Sequence, residues 1–133
     1  MKKFLTMAVF ALSVFILQMP QAAAADVYVG EEWEGGWRAY IVEGSVDWDV
    51  KSPVEIIFYC RLKGVSPQGQ VKYFDYVFTP INDSNKKMIG ASFRDSTGAT
   101  GRFYQNNPGV YRVEYKVFQM LLAVFRETLN QAR

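Results

Sequence analysis

The sequence predicts an α+β domain in which an antiparallel meander of about five to six strands carries one C-terminal helix packed on one face. Three observations lead there. Segments of strand length alternate in polarity along most of the chain, short turn clusters rich in Gly, Pro, Asn, Asp and Ser separate them, and the last apolar segment changes to helical periodicity.

The clearest strand is 54–63. Val54, Ile56, Phe58, Cys60 and Leu62 fall on one side, and Glu55, Ile57, Tyr59, Arg61 and Lys63 on the other, the period of two of a half-buried antiparallel strand. Its hairpin partner is 70–79, across a connection containing Pro67 and Gly69. Upstream, 37–43 and 45–50 read as two strands with a turn near Gly44, and 26–29 as a first strand. Downstream, 87–94 and 102–104 read as strands. From Val113 onward, Val113, Val117, Leu121 and Val124 form one helical ridge, and Phe118, Leu122, Phe125 and Leu129 the next. With Asn107-Pro108 as cap and first-turn proline, a helix is expected from Pro108 or Val110 to Asn130. Phe58 and Cys60 should then lie under it, with Tyr59 and Arg61 pointing away.

Ahead of this domain, Lys2-Lys3 precede an uncharged apolar stretch at 4–17, then Pro20 and the alanines at 22–25. That order is a cleavable signal peptide at 1–25, with cutting before Asp26 or one residue earlier. A spanning helix needs about 20 apolar residues, so the stretch is too short for an anchor. The only cysteine is Cys60, so no lipid-bearing cysteine follows the apolar run. The expected product is a single small secreted or periplasmic domain, 26–133, without a stable membrane anchor after cleavage, and of bacterial type because a lone cysteine forms no intrachain disulfide.

The whole chain has 15 basic and 13 acidic side chains. Loss of Lys2 and Lys3 makes the two equal, which argues against a nucleic-acid partner. Acids crowd 26–55 and bases the remainder, a division that adjacent strands can absorb by pairing.

The chain has no histidine. That removes Ser-His-Asp and Cys-His nucleophiles, His-ligated zinc and the usual base poised near neutrality. Cys60 shares the apolar side of its strand and reads as a small hydrophobe. Among Glu31, Glu32, Glu34, Asp47 and Asp49 no spacing selects a pair for glycoside hydrolysis. Asp47-Trp48-Asp49 opens like a calcium loop, but no further ligands follow in register. Neither a catalytic residue nor a metal or cofactor site is therefore expected. The candidate ligand-binding residues are Trp33 and Trp37, which flank Glu34-Gly35-Gly36, and Tyr59 on the outer side of the best strand, where Tyr73 and Tyr104 can add aromatic surface. Indoles on a glycine-containing loop serve as platforms for sugar rings or as anchors in protein interfaces.

The order Tyr40-Ile41-Val42-Glu43-Gly44-Ser45-Val46, a strong strand ending Leu62-Lys63, Gly69, the segment 73–78 and a late Asn107-Pro108-Gly109 resembles small exported bacterial proteins of the surface-adhesin E type. The resemblance covers 40–110, and the disulfide-forming cysteines of some of those proteins are absent here. It implies a surface or secreted module that binds a host or matrix protein, and it transfers no binding residue. The expected function is an exported noncatalytic binding module with a protein or glycan ligand outside the cytoplasm, adhesin-like or an envelope accessory. The alternative is a small carboxylate-dependent hydrolase acting on an extracellular substrate.

Overall fold

The structure, a computed structural model, describes residues 26–132; the expected signal segment, 1–25, lies outside them. Seven strands follow one another, β1 (Val27–Trp33), β2 (Trp37–Ile41), β3 (Asp47–Ser52), β4 (Glu55–Val65), β5 (Val71–Asn82), β6 (Met88–Asp95) and β7 (Thr100–Tyr104), and helix α1 (Arg112–Gln131) closes the chain. All pairings are antiparallel, in the order β1-β2-β4-β5-β6-β7 with β3 also on β4. The sheet curls into a half-barrel, and the architecture is α+β.

The turn expected near Gly44 does not reverse the chain. β2 pairs with the C-terminal half of β4 (Ile41 opposite Leu62), and β3 with its N-terminal half (Asp47 opposite Tyr59). Both strands therefore run along the same edge of β4, and 42–46 bulge out opposite Cys60 and Arg61. Gly44 supplies the positive φ of 81° that the excursion requires. Ser45 repairs the broken ladder: its hydroxyl donates to the Val42 carbonyl (2.6 Å) and accepts from the Arg61 N–H (3.0 Å). β2 and β3 are thus one meander strand divided by an enlarged bulge.

Alternation fixes the inner face. Phe58, Cys60 and Leu62 of β4 are buried with Tyr76 and Phe78 of β5, Phe93 of β6 and Phe103 of β7. Phe118 and Phe125 of α1 meet Phe58 edge-on with ring centroids 5.7 and 5.6 Å away, and Phe125 meets Trp48 at 5.1 Å. Phe58 therefore lies under the helix, as its register predicts. Gly90 lets β6 and β7 approach closely, since a Cβ there would stand 2.2 Å from the Phe103 carbonyl oxygen.

The helix departs from expectation at both ends. Its N-cap is Tyr111, without a side-chain cap. The Asn107 side chain instead accepts from the Gly109 N–H (3.1 Å), and Tyr111 N–H bonds the Pro108 carbonyl (3.1 Å), so the Asn-Pro-Gly segment forms a turn of its own before the helix begins. At the other end Leu129 is exposed and Thr128 is buried. A ridge of four-residue steps drifts around a helix of 3.6 residues per turn, and after Phe125 a three-residue step returns to the core. The Thr128 hydroxyl tolerates burial because it donates to the Val124 carbonyl (2.8 Å).

Charge pairing joins the acidic and basic parts of the chain where Lys63 meets Asp26 at 2.5 Å, and Arg61 meets Asp75 at 2.8 Å on the outer face. Among the described residues no helix is long and apolar enough to cross a membrane.

Candidate functional site: an aromatic cleft beside a buried carboxylate

Trp33 ends β1 and Trp37 begins β2, and they are direct cross-strand partners. Gly35 and Gly36, at φ 86° and 79°, make the turn between them. Directly opposite residues of an antiparallel pair project from the same face, so the turn brings the two indoles side by side. They reach inward over β4 at Gly64, where a Cβ would stand 3.2 Å from Cζ3 of Trp33 and 3.3 Å from Cε3 of Trp37. The missing side chain is what lets both rings lie on the sheet. Phe74 of β5 meets Trp33 edge-on at 5.6 Å, and Tyr76 follows on the same face.

Glu114, in the first turn of α1, approaches from above with 6% of its surface exposed. Its Oε2 accepts from Tyr76 Oη (2.7 Å) and Trp33 Nε1 (3.0 Å). Burial, and then the Glu114 charge, push the Tyr76 hydroxyl far above its ordinary pKa, so it remains a donor across the accessible pH range. No lysine or arginine among the described residues pairs with Glu114. Trp33, Trp37, Phe74, Tyr76 and Glu114 line a cleft of about 300 Å³, completed by Lys72 and Asp95. Lys72 Nζ stands over the Trp37 ring, 5.0 Å from its centroid. Asp95 Oδ1 is committed to its own turn, accepting from Thr97 N–H, Thr97 Oγ1 and Ala99 N–H.

Of the residues singled out from sequence, Trp33 and Trp37 meet in this cleft and Tyr59 does not. Tyr59 points from the outer face of β4, donates to Asp49 Oδ2 (3.3 Å) and borders a separate cavity of about 520 Å³ with Ile57, Val77, Arg94 and Arg102. Glu31, Glu32, Glu34, Asp47 and Asp49 do not line the cleft either. Asp47 is buried, and its Oδ1 accepts from the Trp48 N–H (2.8 Å). Among the described residues no three His, Cys, Asp or Glu side chains gather as metal ligands. Cys60 is buried and unbridged, and burial pushes its thiol well above the ordinary range, which disfavours the reactive thiolate.

Sequence reasoning missed Phe74, Tyr76 and, with the largest consequence for chemistry, Glu114. Its signal was present: it falls three, four and seven positions before Val117, Phe118 and Leu121, so it is a carboxylate on the apolar side of the helix. A charge in such a register needs partners, and Trp33 and Tyr76 provide them.

No family model, curated protein or solved structure matches the chain. The functional reading therefore rests on the cleft itself.

Proposed function

We propose that the chain is an exported noncatalytic binding module and that it holds its ligand in the cleft between the β1–β2 turn and the first turn of α1. The observation that carries this reading is the pair of indoles over Gly64, beside a buried carboxylate and at the edge of the helix-covered face. Aromatic rings fixed by a tight turn and by packing offer contact area at little cost in conformational freedom. The hydrogen bonds to Glu114 hold two of the four rings in place before any ligand arrives. In this reading the N-terminal segment directs the protein out of the cytoplasm and is then removed.

A second reading, a carboxylate-dependent hydrolase, draws on the presence of Asp95 and Glu114 in one cleft. It is the weaker one. Asp95 gives one oxygen to three donors of its own turn, and Glu114 gives one to Tyr76 and Trp33, so both carboxylates act as structural acceptors.

Peptide and glycan arrays probed with the labelled protein test the proposal. A bound spot should be lost with Trp37→Ala and kept with Tyr59→Ala. Binding that survives Trp37→Ala and disappears with Tyr59→Ala would move the site to the outer face.

A further inference from the structure

We propose that the ligand group taken by this cleft is an organic cation bearing N–H donors, an alkylammonium or guanidinium group. The inference rests on the cleft being the binding site and adds the chemistry of what enters it.

Two independent features point the same way. The first is the charge on Glu114. It is more than nine-tenths buried, its Oε2 has two neutral donors, and its Oε1 accepts no hydrogen bond from the described residues. A buried carboxylate without a counter-charge is costly, and a cation entering the cleft supplies both the charge and the donor. The second is the aromatic wall. Ring faces attract cations through their quadrupole, and this one already does so, because Lys72 Nζ lies over Trp37. Lys72 thus shows the class of group the indole accepts, and it competes with an external cation for the Trp37 ring.

The two features also narrow the class. A fully alkylated ammonium would use the rings but leave Oε1 without a donor, whereas a primary ammonium or a guanidinium uses both. A guanidinium can also lie flat on an indole. Neutral sugars satisfy the rings and leave the buried charge unanswered. The chemistry is shared by a basic side chain of a polypeptide and by a free polyamine.

The test is a titration of the ¹⁵N-labelled purified protein, followed at the indole N–H resonances of Trp33 and Trp37. The probes are N-acetyl-lysine amide, N-acetyl-arginine amide, spermidine, tetramethylammonium, N-acetyl-norleucine amide and N-acetylglucosamine. The first three should shift both resonances saturably and the last two should not. A preference for the blocked amino acids points to a polypeptide side chain, and a preference for spermidine to a free polyamine. Glu114→Gln keeps an acceptor for Trp33 and Tyr76 while removing the charge, and should weaken binding by roughly tenfold to a hundredfold. Lys72→Ala removes the internal competitor from an exposed strand position and should tighten binding, while Tyr59→Ala should leave it unchanged. Equal response to norleucine amide or tetramethylammonium, no effect of Glu114→Gln, or weaker binding in Lys72→Ala would overturn the proposal. Saturable shifts with N-acetylglucosamine and none with the cations would overturn the cation but keep the cleft. An array ligand insensitive to Trp37→Ala would remove the cleft assignment itself.

Discussion

Trp33 Nε1 donates to Glu114 Oε2 at 3.0 Å across 81 residues of sequence. The bond ties the end of the first strand to the first turn of the helix, and Tyr76 fastens the same oxygen to the middle of the sheet. Fold and cleft share this junction.

Its removal should be felt in stability. Glu114→Ala leaves two donors without an acceptor, at about 1–3 kcal/mol for a buried group and less where water reaches, so a total loss of about 2–4 kcal/mol is expected. Glu114→Gln retains an acceptor and should cost less than about 1.5 kcal/mol. Urea unfolding of the two variants separates these outcomes. Equal losses would mean that the hydrogen bonds to Trp33 and Tyr76 contribute nothing.

The helix packing makes a second prediction. Leu121 is 1% exposed, whereas Leu122 is only partly buried and borders a cavity of about 260 Å³ with Phe103 and Tyr115. Leu121→Ala should therefore cost about 2–5 kcal/mol through lost burial and a residual cavity. Leu122→Ala should cost less, and Tyr59→Ala on the outer face less than Leu121→Ala. Denaturation midpoints at constant m-value check the order, and a larger loss at Leu122 would place the wrong ridge against the sheet.

Cys60 predicts a dependence on alkaline pH. Burial raises its folded pKa above that of the unfolded thiol, about 8.5, so the folded state keeps a proton that the unfolded chain has lost. Stability should fall as pH rises above about 8.5, by about 1.4 kcal/mol per unit once the unfolded thiol is ionised. Cys60→Ala should remove that part of the slope until about pH 10, where unfolded tyrosine ionises and Tyr76 acts in the same sense. Urea melts at pH 7, 9 and 9.5 measure it, and an identical slope in both proteins would contradict the burial argument.

Gly64 predicts a separation of fold from binding. Its backbone does not need glycine, but a larger side chain would occupy the floor on which both indoles rest. Gly64→Val should displace Trp33 and Trp37, change the near-ultraviolet circular dichroism and remove ligand binding, while the far-ultraviolet spectrum stays the same. Unchanged binding would show that the indoles need not lie on β4.

Most of the fold was legible because period-two alternation in β4 and β5 and the 3.6-residue pattern of α1 are local signals. Three features were not. Gly44 marks a departure from strand geometry, but whether the chain then reverses or continues depends on β4, which lies later in the sequence. Asn107-Pro108 carries a helix-start pattern, yet its hydrogen bonds close a separate turn. Leu129 fits an apolar ridge on paper, but the drift of the helix carries it to solvent and turns Thr128 inward. In the cleft, Trp33 and Trp37 stood out as indoles around two glycines. Glu114, Phe74 and Tyr76 join them only through sheet register and helix docking, which no local pattern contains.

The location of the binding site is tested most directly by mapping amide and indole ¹⁵N–¹H shifts while the protein is titrated with an array-identified ligand. The account predicts that the largest changes fall on the Trp33 and Trp37 indoles and the Tyr76 and Glu114 amides, with Val77, Arg94 and Arg102 unmoved. Changes concentrated at Val77, Arg94 and Arg102 around Tyr59, with both indoles unmoved, would contradict it.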